Sequence, residues 1–401
     1  MHTPTMDQHQ ALIPNLKKFP TCFLNKMEVA KKTWKSLTPP QIERVDFSDF
    51  DFFQSDLKDI PVFHYDATQL AQSGVIIMDL FQACLTYPDL IQDNLFSVID
   101  SQADQVTAYN LAFLQGGLFI YVPPYLELDQ ALDITVLINN QKQAGFNQRI
   151  LLLADHHSHF TYLERLQSQG QQANKGSLMV EVIANEGAQV NYLALDAIDS
   201  AQGQFYLKRY GATQKDAQIN WSIAAMNQAN TILDLDTYLL GPGSQSYVQI
   251  VAIANQDQVQ VIDSKVVNQA NYSVGHIYQH GVILDQARLS FNGIGHIIKG
   301  AKQADAQQES RVLMLSDQGR GDANPILLID EFEVTAGHAA SIGQIDADQL
   351  YYLMSRGLKR KEAEYLVIRG FLGSVIHSMP SRQVQDQVIA IMDQKLASLR
   401  A

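Results

Sequence analysis

With 401 residues, 46% of them hydrophobic, the chain can bury a large core and divide into two or three domains. Its formal net charge of -13 argues against a nucleic acid or an anionic membrane as the main partner, because phosphate surfaces are bound by clustered Lys and Arg. Its two cysteines, Cys22 and Cys84, cannot cage a four-thiolate cluster and form no CxxC pair, so each is read as a packing residue. The first residues, MHTPTMDQHQ, are polar, and no apolar run reaches about 18 residues, so a soluble, cytoplasmic protein is expected.

To about residue 114 the apolar residues follow helical spacing. In PTCFLNKMEVAKKTWKSL, Phe23, Met27, Ala30 and Trp34 recur at three- and four-residue steps, which lays one apolar stripe along a helix. Pro39 and Pro40 predict its end. The stretch from Asp46 to Asp66 is aromatic and acidic without a period and reads as an irregular connection. Two or three further short helices are expected between Asp79 and Leu114, stopped by Gly116 and Gly117.

From Gly117 to about Ala340 the period is two. LFIYV, ITVLI, ILLLA, LMVEV, QVNYLAL, QINWSIA and YVQIVAI are short, β-branched or aromatic, and separated by Gly, Asn, Asp and Gln, which predicts an all-β domain of many short strands. A weak repeat orders them. Ala188-Gln189-Val190-Asn191-Tyr192 returns 29 residues later as Ala217-Gln218-Ile219-Asn220-Trp221, and after the same step, more loosely, as Ser246-Tyr247-Val248-Gln249-Ile250. A fixed interval fits the coils of a solenoid, each stacking one face on the coil below, although alternation alone also fits an antiparallel sandwich. A later cognate, Ala287-Arg288-Leu289-Ser290-Phe291, breaks the interval and predicts an insertion in one coil.

Beyond the strands the pattern turns helical. Asp346 with Gln349 fits a capping box, and Gly357 stands where a left-handed residue closes a helix. Ala363, Leu366, Val367, Gly370 and Phe371 form an i, i+3, i+4, i+7, i+8 face for a second helix. Pro380 predicts its break, and Ser381 begins a last helix with Val384, Val388, Met392 and Leu396 as its stripe. The expected organisation is a helical region over 1–114, a β core over 115–340 and a helical domain over 341–401.

Few residues suggest chemistry. His338 lies between Gly337 and two alanines, small neighbours that leave an imidazole accessible to a partner or a metal, and neutral imidazole is a good iron ligand. The same setting also suits a turn or packing histidine. In Asp155-His156-His157-Ser158-His159, strand alternation would place His157 and His159 on one face, but the run lies between ILLLA and FTYLERL, where a solvated turn is the better reading. His276 and His280 have helical ligand spacing in a stretch that reads as strand and loop, so they are taken as structural. GPGSQS (241–246) lacks the lysine of a phosphate loop, and no GxxxxGK[ST], GxSxG or HExxH is present. The chain encodes no recognisable engine of its own.

Four runs carry a family resemblance: KGAKQADAQQ (Lys299 to Gln308), AGHAASIGQID (Ala336 to Asp346), QLYYLMSRG followed by KEAEYLVIRGF, and AYNLAFLQGGLFIYVPPYLEL (Ala108 to Leu128). In them the chain resembles the SufB/SufD family of iron-sulfur cluster assembly proteins. The likeness covers most of the chain beyond about residue 100 and is loose before it, in helical character and in WKSLTPPQIERVDFSDF. It implies a mainly β fold with flanking α, a right-handed parallel β-helix core between N-terminal and C-terminal helical domains. It further implies a non-enzymatic subunit of the cytosolic SUF complex, supporting iron entry and de novo cluster assembly.

By the same resemblance the partners are a SufB-like subunit, which carries the scaffold cysteine and meets the β-helix, and a SufC-like ABC ATPase. The ATPase would dock on the C-terminal helices, in the region of Tyr351, Tyr352, Arg356, Leu366 and Phe371. His338 matches the family histidine at the SufB contact, which makes it the expected metal or cluster-assembly residue. No cofactor is expected to stay on this chain alone; iron or a cluster would pass transiently at the SufB contact. A β domain without a thiol fits the SufD branch better than the SufB branch, whose core must receive sulfur. Two rival readings stand beside this one. A β-helix polysaccharide lyase or hydrolase needs charged residues paired at the coil interval, and none recur. A homodimer through the β-helix edge is the second arrangement open to the isolated chain.

Overall fold

The computed structural model describes residues 18–53, 62–66, 73–141, 145–170, 172–200, 202–379 and 382–397. Strands rich in Val, Ile, Leu and aromatic residues follow one another from Gly116 to Gln344 and alternate between two nine-stranded sheets. The first sheet holds, in spatial order, β1 (Val62–His64), β4 (Leu132–Asn140), β6 (His159–Gly170), β8 (Gln189–Ala197), β10 (Gln218–Ala225), β12 (Gln245–Ala254), β14 (Val274–Ile283), β16 (Asp305–Met314) and β18 (Thr335–Gln344). The second holds β2 (Ile76–Asp79), β3 (Gly116–Val122), β5 (Gly145–Ala154), β7 (Lys175–Ala184), β9 (Gln204–Thr213), β11 (Asn230–Leu239), β13 (Val259–Asn268), β15 (Arg288–Ile297) and β17 (Arg320–Ile329). Each coil contributes one strand to each sheet, and neighbouring strands are parallel. Among the described residues antiparallel pairs occur only at the first end, β1 on β4 and β2 on β3. The fold is therefore a parallel β-solenoid, as expected, and not a sandwich.

Period-two alternation fills its lumen. Val190, Tyr192 and Ala194 of β8, Ile219, Trp221 and Ile223 of β10, and Val248, Ile250 and Ala252 of β12 all point inward and are buried. Tyr162, Tyr192 and Trp221 stack from coil to coil with ring centroids 4.9 and 4.7 Å apart. The Trp221 indole still meets its polar need by donating to Thr237 Oγ1 at 2.9 Å.

The repeat read from the sequence is right in its first step and wrong afterwards. Val190 pairs with Ile219 and Tyr192 with Trp221, as expected. The next coil pairs Ile219 with Ser246 and Trp221 with Val248, so Val248 was assigned one two-residue step too far along. The cause is chiefly a shorter connection: residues 226–229 join β10 to β11, whereas 198–203 join β8 to β9. Ala287-Arg288-Leu289-Ser290-Phe291 belongs to the other sheet, where β15 pairs with β13 and β17. No insertion is needed to explain its place.

Helices cover the outer faces. On the second sheet lie α1 (Thr21–Thr33), α2 (Leu80–Thr86), α3 (Pro88–Asn94) and α4 (Gln105–Ala112). The stripe Phe23, Met27, Ala30 and Trp34 is buried as predicted, packing with Phe119, Leu151 and Leu153 of the solenoid wall. Asp79 and Asp104 cap α2 and α4 by accepting from the Gln82 and Thr107 amides at 3.0 and 2.7 Å. Between α1 and α2 come a 3-10 turn, Phe47–Asp49, and the short β1.

The C-terminal helices are α5 (Ala347–Ser355), α6 (Arg360–Ile376) and α7 (Arg382–Lys395). Asp346 caps α5 through the Asp348 and Gln349 amides, and Gly357 follows α5 at φ +97°. The buried face of α6 differs from expectation. Ala363 is buried and Phe371 half-buried as expected, but Leu366 and Gly370 are exposed, and Tyr365, Ile368, Leu372, Val375 and Ile376 make up the rest of the buried face. Apolar residues lie on two sides of this helix, so periodicity alone selected a face rotated from the buried one and overlapping it at Ala363 and Phe371. The outer face of the first sheet decides: Leu193, Leu195, Val251, Ile253, Val282 and Leu284 receive it, each buried side chain of this kind contributing roughly 1.5–3 kcal/mol. Val384, Val388, Met392 and Leu396 of the α7 region are buried as predicted. Pro380 and Ser381 lie outside the described residues.

Candidate functional site

The solenoid ends at β17 and β18. Each has one strand neighbour, β15 and β16 respectively, which leaves an open edge on both sheets among the described residues. Such an edge offers unpaired N–H and C=O groups to another chain. It is also apolar: Leu328, Ile329 and Ile342 are exposed, and Phe332, in the turn between the two strands, is 98% exposed. Leu328, Ile329 and Phe332 lie at one end of β17 and Ile342 beside Gly321 at the other, and exposed apolar side chains on an unpaired edge favour association.

His338 sits on that end strand. It pairs with Gln308, and the same register runs back through Ile277, Val248, Trp221, Tyr192 and Tyr162, so His338 is the last member of one lumen-facing column. Among the described residues no coil stacks above it, and its side chain is exposed. Beneath it, buried Gln308 reaches across the lumen to donate to the Ile326 carbonyl at 2.8 Å, while its own Oε1 has no partner. A Cβ at Gly337 would come within 2.7 Å of Gln307 Oε1, the end of a flexible side chain that can move aside.

The docking residues expected on the C-terminal helices separate into two groups. Tyr351, Tyr352, Arg356 and Leu366 are exposed, and the Arg356 guanidinium lies over the Tyr352 ring at 5.2 Å. Phe371 faces the solenoid instead, stacked on His280 with centroids 4.8 Å apart. His280 also contacts Glu309 Oε1 through Nε2 at 3.1 Å, and the Phe371 carbonyl and Ser374 Oγ through Nδ1 at 3.2 and 3.3 Å. It thereby fastens α6 to β14. His276 lies on the same strand, and four residues of strand span about 13 Å, so the two imidazoles do not converge. His276 pairs with Asp305 at 3.1 Å. His156 and His157 occupy a tight turn, with His157 at φ +55° and its ring stacked on Tyr125 at 5.3 Å. The solvated-turn reading therefore holds there.

Among the buried polar networks that the sequence did not disclose are the following two. In the lumen, Arg209 binds Glu164 at 2.6 Å and Asp196 at 2.6 and 2.9 Å, and Tyr192 donates to Glu164 at 2.8 Å, all fully buried. The two carboxylates hold the guanidinium well above its ordinary range despite burial. On the outer face of the second sheet, carboxylate oxygens of Asp234, Asp236 and Asp263 lie within 4.8 Å of one another. Burial, then the Asp234 charge, pushes Asp263 up to about 7. Lys208 reaches Asp234 at 3.3 Å and Asp104 at 2.9 Å, and Lys265 reaches Asp236 at 2.9 Å, so this cluster meets cations from within the protein. The signals were present in FYLKRYGA and ILDLDTY, charges set into strongly strand-forming runs.

Comparison with known proteins accords with this architecture. The family model described as "SUF system FeS cluster assembly, SufBD core domain" matches residues 136–371, and "SufBD protein N-terminal region" matches 61–134. The chain belongs to the SufB/SufD family. Over 330 residues it is 37% identical to the iron-sulfur cluster assembly protein SufD of Bacillus subtilis, covering 82% of this chain and 75% of that one. Over 320 residues it is 25% identical to an iron-sulfur cluster assembly SufBD family protein of Staphylococcus epidermidis, covering 80% and 68%. A SufBD family protein of Staphylococcus aureus is 24% identical over 371 residues, covering 90% and 79%. The chain is thus a SufD homologue within an iron-sulfur cluster assembly family. Among the described residues no helix is long and apolar enough to cross a membrane.

Proposed function

We propose that this SufB/SufD family member is a non-catalytic, cytoplasmic subunit of a SUF complex that pairs end to end with a SufB-like subunit. The observation that carries the reading is the open apolar edge at β17 and β18, with His338 exposed upon it. Iron or a nascent cluster is cargo at that contact. His338 offers it an imidazole, and the SufB-like partner supplies thiolate, since no cysteine lies in the solenoid strands of this chain. The SufC-like ATPase docks on the exposed face of α5 and on the side of α6 turned from the solenoid, where Tyr351, Tyr352, Arg356 and Leu366 stand. Phe371 takes part only by holding α6 in place.

Co-purification from a cell making all three proteins tests the reading. The wild-type chain should bring down both partners. The double substitution Tyr351→Ala, Tyr352→Ala should release the SufC-like protein while the SufB-like protein stays bound, because two exposed aromatic anchors are lost without opening a core cavity. Equal recovery of the ATPase by wild type and variant would place its docking surface elsewhere.

A further inference from the structure

Lys395, the last residue of α7, inserts its side chain between that helix and the turns that follow β8 and β10. It is 9% exposed, and its Nζ donates to the Asn227 carbonyl and to Gln258 Oε1. Both acceptors are neutral, and no carboxylate among the described residues forms an ion pair with it. Burial without a counter-charge brings this ammonium from its ordinary 10.5 down to about 7. Lys395 lines a cavity of about 240 Å³ together with Ala197, Ile198, Met226 and Ile391, the glutamines Gln228 and Gln394, and exposed Asp199.

We propose that this cavity binds a small oxyanion of the sulfate, phosphate or carboxylate class, with the Lys395 ammonium as its counter-charge. A buried cation held only by neutral oxygens is half of an ion pair, and an anion within reach supplies the other half. Gln228 and Gln394, whose side chains carry amide donors, also line the cavity. Asp199 is the single acidic residue in the wall and opposes the anion, an opposition that its exposure weakens without abolishing. Asp393, two residues before Lys395, is engaged by the Tyr365 hydroxyl. The site lies apart from the open solenoid end and from α5. An occupant would tie the end of α7 to the turns of the solenoid, so its binding would firm the C-terminal cover on the first sheet.

Calorimetric titration of the full chain with sulfate, which keeps its charge across the range, tests the proposal. Saturable binding is expected at about pH 6, where Lys395 is protonated, and loss of about tenfold or more in affinity at about pH 9. Lys395→Met keeps the aliphatic stem and should lose binding at both pH values. Asp199→Asn removes the opposing charge and should bind more tightly than wild type; this variant also serves if Lys395→Met does not fold. Absence of saturable binding in the wild type, equal binding by Lys395→Met, or unchanged binding by Asp199→Asn overturns the site.

Discussion

Arg209→Ala should lower the stability of the isolated chain by about 3–5 kcal/mol, the range found when one partner of a buried ion pair is removed. Glu164 and Asp196 would be left as two carboxylates inside the lumen, at 0 and 1% exposure, with the Tyr162 and Tyr192 hydroxyls as the remaining donors to Glu164. Two like charges cannot both persist there, so at least one must take up a proton or draw water into the lumen. Urea unfolding followed by circular dichroism measures the loss as a shift in midpoint at constant slope. Replacing Arg209, Glu164 and Asp196 together by apolar residues of similar volume should recover much of the loss, because the desolvation penalty disappears with the charges. A loss under about 1 kcal/mol for Arg209→Ala would mean that the network does not hold the lumen together.

Phe332→Asp should leave the chain folded and abolish tight association with the SufB-like partner. The side chain is 98% exposed, so the substitution opens no cavity, and stability should change by no more than about 0.5 kcal/mol. An aromatic anchor at the centre of an interface is worth about 2 kcal/mol or more, which is roughly a thirtyfold loss of affinity, and a buried carboxylate adds to it. Light scattering of the isolated chain, alone and with the partner, separates two outcomes. Loss of the heteromer supports the proposed pairing, and an effect confined to self-association favours the homodimer.

The stripes of α1 and α7 were legible because each helix buries one side, so Phe23, Met27, Ala30 and Trp34, and Val384, Val388, Met392 and Leu396, follow the helical period without competition. The face of α6 was not legible, because Leu366 and Ile368 are equally apolar and only the waiting surface of Leu193, Val251 and Val282 selects between them. Strands were found, but their register only for the first step of the repeat. Alternation places Val248 on the correct face and is blind to a two-residue slip, which depends on connection length. It is also blind to which sheet receives a strand, hence the misplacement of Ala287 to Phe291. His338 is singled out by motif alone, and its place as the last member of a lumen column arises from pairings spread over most of the solenoid. The ion networks escaped because charge in a strand reads as a solvent face until the partner strands are known.

The most direct measurement of the central claim is cluster assembly by a complex carrying His338→Ala. The complex is rebuilt with SufB-like and SufC-like partners, followed by gel filtration, and scored by growth of a strain that depends on this pathway. His338 is exposed, so the substitution should change stability by under about 0.5 kcal/mol and leave the complex intact, while cluster-dependent growth fails. His157→Ala, in the solvated turn, should be silent in the same assay. Normal growth with His338→Ala, or a complex that falls apart without it, contradicts the account: the first removes the ligand role, and the second makes His338 a packing element of the interface.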